Sequence, residues 1–153
     1  MIRILIVYHS QTGNTEKMAE AVAGGVMRTK ASKAVLKRAF ETTADDVRTC
    51  DAIVLCSPEY FGYMAGVVKD FFDRTYEELK NDQGSIKKPY AVVICADNDG
   101  TGALRHIERL CTGYRFRKVQ NPVICKGAVT EEILMKCRDL GETIAEGVNI
   151  GIF

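Results

Sequence analysis

Residues 2–15, IRILIVYHSQTGNT, decide the fold. The run Ile2–Tyr8 is almost continuously apolar, as expected of a strand buried on both faces of a sheet. A polar turn, Ser10–Asn14, follows, and from Thr15 to about Met27 the apolar residues Met18, Ala21, Val22, Gly25 and Val26 return at helical spacing. A turn that passes directly from a strand into a helix has a chemical consequence. The helix N-terminus presents unpaired backbone N–H groups and a partial positive charge, and a phosphate placed there meets both. Ser10, Thr12, Asn14 and Thr15 surround that point with short polar side chains, and Gly13 permits a close backbone turn. The loop holds no Lys or Arg, so an anion would be held by dipoles and hydrogen bonds. It also lacks the Gly-x-x-x-x-Gly-Lys-Ser/Thr and Gly-x-Gly-x-x-Gly patterns of other phosphate loops. Taken alone, the stretch reads equally as a capped polar connection.

Outward from this unit the same alternation continues. Ala34–Phe40 reads as a second strand whose Lys37 and Arg38 mark a sheet edge. Thr43, Asp45 and Asp46 open a short helical turn, and Asp51–Cys56 is a third strand. A helix from about Ala65 to Leu79 carries Val67, Val68, Phe71, Phe72 and Tyr76 on its apolar face. Pro89–Ala96 is a fourth strand, a helix follows around Ala103–Cys111, and Val119–Cys125 is a fifth strand interrupted by Asn121 and Pro122. Thr130 caps a last helix with Ile133, Leu134, Cys137, Leu140, Ile144 and Val148 inward. Five strands separated by helices predict an α/β fold with a parallel sheet, right-handed crossovers and one domain over residues 1–153.

Composition narrows the function classes. The 21 Lys and Arg against 20 Asp and Glu leave a net charge of +1, which argues against a nucleic-acid binder and against an acidic carrier. No segment approaches the roughly 20 apolar residues of a membrane span. The short N-terminal run reads as a strand, not as a signal peptide, so a cytoplasmic location is expected. None of the six cysteines forms a Cys-x-x-Cys pair, so no metal is expected; Cys56, Cys95 and Cys125 lie in strand-like runs and read as small buried hydrophobes.

The third strand ends in Ser57-Pro58-Glu59-Tyr60-Phe61-Gly62-Tyr63-Met64. In an open parallel sheet, ligands sit beyond the C-terminal strand ends where strand order reverses. Three aromatics and a glycine there would suit a flat ring, although they would also serve to cover the end of the core. Together, Ser10-x-Thr12-Gly13-Asn14-Thr15 and Ser57-Pro-x-Tyr60-Phe61-Gly62-x-Met64, with Lys69-x-Phe71-Phe72-Asp73-Arg74 beyond, resemble the two flavin loops of the flavodoxin superfamily. The second motif resembles in particular the flavodoxin-like NAD(P)H:quinone and FMN reductases. The resemblance implies a doubly wound five-stranded sheet of order 2-1-3-4-5 with helices on both faces. It implies one FMN, with Ser10, Gln11, Thr12, Gly13, Asn14 and Thr15 on the phosphate and Pro58, Glu59, Tyr60, Phe61 and Gly62 along the isoalloxazine. The third loop, with Ala96, Asp97, Asn98 and Gly100, would approach the pyrimidine side or the ribityl chain.

The sequence departs from electron-carrying flavodoxins in two respects: Asp97–Gly102 contains no aromatic, and the chain is not acidic. It is also shorter than the tetrameric quinone reductases. The first expectation is therefore an oxidoreductase in which NADH or NADPH reduces FMN, and a quinone or other small acceptor takes the electrons. An electron carrier with a redox partner protein is the alternative, and a non-catalytic flavin-binding module the second alternative; a homodimer stays open. Arg105 and Arg109, on one helix face, would meet a nucleotide phosphate or an acidic partner, or form a solvated helix face. His9 and His106 are assigned no role.

Overall fold

The computed structural model describes residues 1–153. Its first half runs β1 (Ile2–Tyr8), α1 (Asn14–Val26), β2 (Ser32–Arg38), α2 (Ala44–Thr49), β3 (Ala52–Tyr60), β4 (Tyr63–Met64) and α3 (Gly66–Leu79). The second half runs β5 (Pro89–Ala96), α4 (Thr101–Gly113), β6 (Arg117–Lys118), β7 (Val123–Lys126) and α5 (Glu131–Asn149). The strand order is β2-β1-β3-β5-β6, with β7 also on β5 and β4 on β3. All pairings are parallel except the β3–β4 hairpin. This is the expected 2-1-3-4-5 order with helices on both faces.

The strands are apolar on both faces because both are covered. Along β1, Leu5 and Val7 enter the core beneath α2, α3 and α4, whereas Ile4, Ile6 and Tyr8 enter the core beneath α1 and α5. Phe71 and Phe72 anchor the first core and Met18 and Ile144 the second, all with at most 1% of their surface exposed. Burial of each such side chain stabilises the fold by roughly 1.5–3 kcal/mol. On the second face, α1 and α5 approach so closely that a Cβ on Gly25 would lie 1.9 Å from the Arg138 carbonyl oxygen, and one on Gly141 would lie 2.1 Å from that of Val22.

Local signals behave as read. Thr43 and Asp46 form a reciprocal capping box on α2, and the Thr130 hydroxyl accepts from the Ile133 N–H on α5. β2 is an edge strand, and its Lys37 is held by Asp46 at 2.9 Å. Three boundaries differ from the expectation. β2 starts at Ser32 and stops at Arg38; Ala39–Glu41 is a 3₁₀ turn, and Phe40 projects into solvent. The fifth strand is two short pieces, β6 and β7: the Val119 N–H still reaches the Tyr90 carbonyl at 3.1 Å, but Pro122 cannot donate to the ladder and 120–122 leave it. β3 begins one residue late, since Asp51 turns its carboxylate to the Arg3 N–H at 2.7 Å, and it continues past Cys56 to Tyr60. The segment read as the loop Ser57–Tyr63 is thus a strand end plus a hairpin, with Pro58 in register with Cys95.

Candidate functional site

The C-terminal ends of β1, β3, β5 and β7 meet at one cavity of about 320 Å³, lined by Ser10, Gln11, Thr12, Asn14, Thr15, Pro58, Glu59, Tyr60, Cys95, Ala96, Asp97 and Gly127. It lies where the strand order reverses between β1 and β3, the position a parallel α/β sheet offers to a ligand.

At its first wall, Gly13 takes a left-handed conformation (φ 97°) and no side chain caps α1. The Ser10 hydroxyl instead accepts the Gly13 N–H at 3.0 Å, and the helix's own bonding starts with the Lys17 N–H on the Gly13 carbonyl at 3.1 Å. The N–H groups of Asn14, Thr15 and Glu16 are therefore left for an incoming acceptor. Thr15, almost wholly buried, presents its side chain to the same space. Glu16 is turned away to the Tyr8 hydroxyl at 3.0 Å and to Arg38 at 3.3 Å, so its negative charge does not face the cradle. A Cβ at Gly13 would meet nothing in the protein; glycine is required there by φ. An uncapped helix end rimmed by hydroxyls, with no cation, fits a phosphate held by dipoles.

The second wall is the β3–β4 hairpin. Tyr60 pairs with Tyr63, and the two residues between them, Phe61 (φ 53°) and Gly62 (φ 72°), both have positive φ, the geometry of a type I′ turn. The buried Ser57 hydroxyl anchors the hairpin, accepting the Ala65 N–H at 3.0 Å and donating to the Pro58 carbonyl at 2.7 Å. Pro58, Glu59 and Tyr60 line the cavity, whereas Phe61 stands fully exposed at the tip and Gly62 backs onto α4. The Glu59 carboxylate accepts the Ala103 N–H at 3.0 Å, supplying the N-terminal cap of α4 from another element. His9 stands edge-on to Tyr60 at 6.3 Å; burial first, then the Arg38 guanidinium, hold its imidazole pKa below the ordinary value.

The third wall comes from Ala96 and Asp97. Asn98 is exposed and outside the lining, and Asp99 ties the Thr101 N–H at 2.9 Å. Gly100 faces the sheet, where a Cβ would fall 2.8 Å from an Ile124 methyl. Two lining residues escaped the reading of the sequence. Cys95 is the partly buried penultimate residue of β5, and Gly127 follows β7 with φ 78°, fixed by its N–H on the Ala96 carbonyl at 2.8 Å. A glycine just past an apolar strand was the available signal for Gly127. Burial pushes the Cys50 and Cys95 thiols up to about 11 and Cys137 up to about 12, away from the thiolate form that a nucleophile needs. Tyr60 is the one aromatic ring in the lining, and the rest of that wall is small or polar.

A larger cavity, about 620 Å³, lies between α3 and α4 and away from the strand ends. The phosphate-type cradle and the convergent loops belong to the smaller one.

Comparison with known proteins bears on the family and the fold. The Flavodoxin family matches residues 6–141. A flavodoxin of Aquifex aeolicus is 29% identical over 170 residues, covering 98% of this chain and 89% of that one. An NAD(P)H dehydrogenase (quinone) of Geobacter sulfurreducens is 34% identical over 98 residues, covering 48% of this chain and 48% of that one. Among solved structures, a flavodoxin from the domain Archaea superposes with a TM-score of 0.82 at 22% identity, covering 97% of this chain and 99% of that one.

Proposed function

The chain belongs to the flavodoxin family, and from that membership we propose that it binds FMN and passes electrons from NADH or NADPH to a quinone or another small acceptor. The residues present fit the cofactor. Ser10, Thr12 and Thr15 with the N–H groups of Asn14, Thr15 and Glu16 would hold the phosphate, Gly13 allowing the turn. Pro58, Glu59 and Tyr60 would line the ring, with Ala96, Asp97 and Gly127 opposite. Phe61 and Gly62 would act at the ring's edge from the hairpin tip, and Asn98 and Gly100 by shaping the third loop. When bound, FMN supplies the two-electron chemistry, in which NAD(P)H and a proton reduce a quinone to the quinol.

The observation that carries the reductase reading is the single aromatic wall. Tyr60 alone offers a ring to the cavity, and no aromatic faces it from the third loop. A planar donor or acceptor needs an open face to stack within reach of the reacting atom. The test is anaerobic mixing of FMN-loaded protein with NADH or NADPH, followed by a quinone. Loss of the flavin absorbance, restored by quinone with quinol formed one for one, is the expected result. An unchanged spectrum with both nucleotides overturns the reading.

The electron-carrier reading has its own support. The match to the Aquifex flavodoxin runs nearly the full length of both chains, whereas the match to the quinone dehydrogenase spans about half of each. A carrier would be inert to NAD(P)H and reduced only through a partner protein.

A further inference from the structure

The two helix layers differ in a way the cofactor site does not explain. On one face α1 and α5 close onto each other through Gly25 and Gly141. On the other, α3 and α4 stand apart, and the space between them is the cavity of about 620 Å³, within the usual size of a ligand site. Its floor is rigid. Tyr114 is edge-on to Phe72 at 5.3 Å and to Tyr76 at 5.4 Å, and its hydroxyl is fixed by the Thr75 hydroxyl at 2.9 Å and by the Phe72 carbonyl. Tyr76 keeps 41% of its surface open to the groove, and Tyr63 with His106, ring centroids 4.6 Å apart, closes the end nearest the hairpin.

The charges on the rim are not equivalent. On the α3 wall, Asp73 is held by Lys69 at 2.5 Å and Glu77 by Lys80 at 2.5 Å. On the α4 wall, Arg109 has no carboxylate within ion-pair distance, nor does Arg105 one turn before it; the nearby Glu108 is taken by Lys118 at 2.8 Å. The groove therefore combines a preformed aromatic floor with an uncompensated guanidinium on one side.

We propose that the groove between α3 and α4 is a second ligand site, which takes a planar aromatic molecule bearing an anionic group, the ring against Tyr76 and Tyr63 and the anion on Arg109. A guanidinium offers an anion a two-pronged, charge-assisted pair of hydrogen bonds, and a ring gains by offset or edge contact with tyrosine. The anion sits on the α4 wall because Arg109 is the unpaired charge there, whereas the α3 wall offers only carboxylates already paired with lysines. Two sources share this chemistry, a nucleotide and an aromatic acid such as a sulfonated or carboxylated quinone. The site is separate from the strand-end cavity, so it holds whether the chain is a reductase or a carrier.

The test is calorimetric titration of the protein, with and without saturating FMN, using 5′-AMP and anthraquinone-2-sulfonate as probes and adenosine and anthraquinone as their uncharged counterparts. At least one anionic probe is expected to bind one for one, FMN present or not, about tenfold tighter than its counterpart. Arg109→Gln should abolish that difference, and Tyr76→Ala should weaken charged and uncharged forms together. Both residues are exposed, so both variants should keep the parent's circular dichroism. Binding of 5′-AMP alone assigns a nucleotide, and binding of the sulfonate alone an aromatic acid. No binding by either probe, binding lost when FMN is added, or parental affinity in Arg109→Gln overturns the proposal.

Discussion

A Cβ built on Gly102 falls 2.0 Å from the carbonyl oxygen of Gly62. The tip of the β3–β4 hairpin and the first turn of α4 are thus in backbone contact, and the Glu59 carboxylate on the Ala103 N–H is a second tie between them. The wall that would face the flavin is held from behind by a helix, and the position of α4 sets that of the hairpin.

Gly102→Ala should therefore displace the hairpin. Because the obstacle is backbone, the cost is expected at the upper end of overpacking penalties, about 3 kcal/mol. Gly113→Ala on the same helix meets nothing within 4 Å and should cost little. Urea unfolding of the two variants, together with FMN titration, checks this: the first should lose stability and FMN affinity together, the second neither.

The proposed phosphate cradle makes a selective prediction. Riboflavin should bind far more weakly than FMN, because Ser10–Thr15 has no target without the phosphate. Thr15→Ala should cost FMN about 1.5–3 kcal/mol of binding. Gly13→Val, strained at φ 97° and projecting into the cradle, should abolish FMN binding with a modest loss of fold stability. Flavin fluorescence titrations decide it, and equal affinities for FMN and riboflavin would move the phosphate elsewhere.

Phe61 holds a left-handed backbone conformation (φ 53°) while its ring is fully exposed. Such a conformation costs a non-glycine residue about 1–2 kcal/mol, and the exposed ring recovers none of it by packing within the chain. Phe61→Asn, which creates the favoured Asn-Gly turn, should raise stability by about 0.5–1 kcal/mol. If Phe61 serves electron transfer, the same variant should turn over quinone more slowly. Thermal unfolding and steady-state rates measured on one preparation separate the two effects.

The edge of the sheet carries a pH dependence. Burial would raise the Asp46 pKa, but the hydrogen bonds from Lys37 and from the Thr43 N–H and hydroxyl outweigh it and hold the carboxyl below its ordinary 3.8. A carboxyl depressed on folding contributes stability above its unfolded pKa and loses it as pH falls through the folded value. Asp46→Ala should thus cost about 1 kcal/mol near pH 7, with the difference from the parent shrinking below about pH 4. A cost that stays constant down to pH 2 would show that the loss is packing alone.

How much of this was legible in the chain depends on how far apart the deciding residues lie. The apolar run Ile2–Tyr8, the helical spacing of Met18, Val22 and Val26, the Thr43 and Thr130 caps and the polar turn Ser10–Thr15 are local, and hydrophobic period and capping chemistry determine them without reference to anything else. From these the parallel α/β order and the phosphate-type loop follow. Tertiary structure decided what depends on neighbours distant in sequence. Ser57 and Pro58 are strand and not loop because β5 lies alongside to accept them, with Pro58 opposite Cys95, and Glu59 and Tyr60 extend the strand by pairing with β4. Cys95 and Gly127 reach the cavity only because β7 pairs with β5. Phe61 points outward because Gly62 is pressed against Gly102, forty residues later in the chain. The groove between α3 and α4 exists because the rings of Phe72, Tyr76 and Tyr114 keep apart two helices that each read, alone, as an ordinary amphipathic segment. Hydrophobic periodicity acts within a segment, whereas register and close packing are set between segments; the loop Ser10–Thr15 belongs to the first kind, and the hairpin, the third wall and the α3–α4 groove to the second.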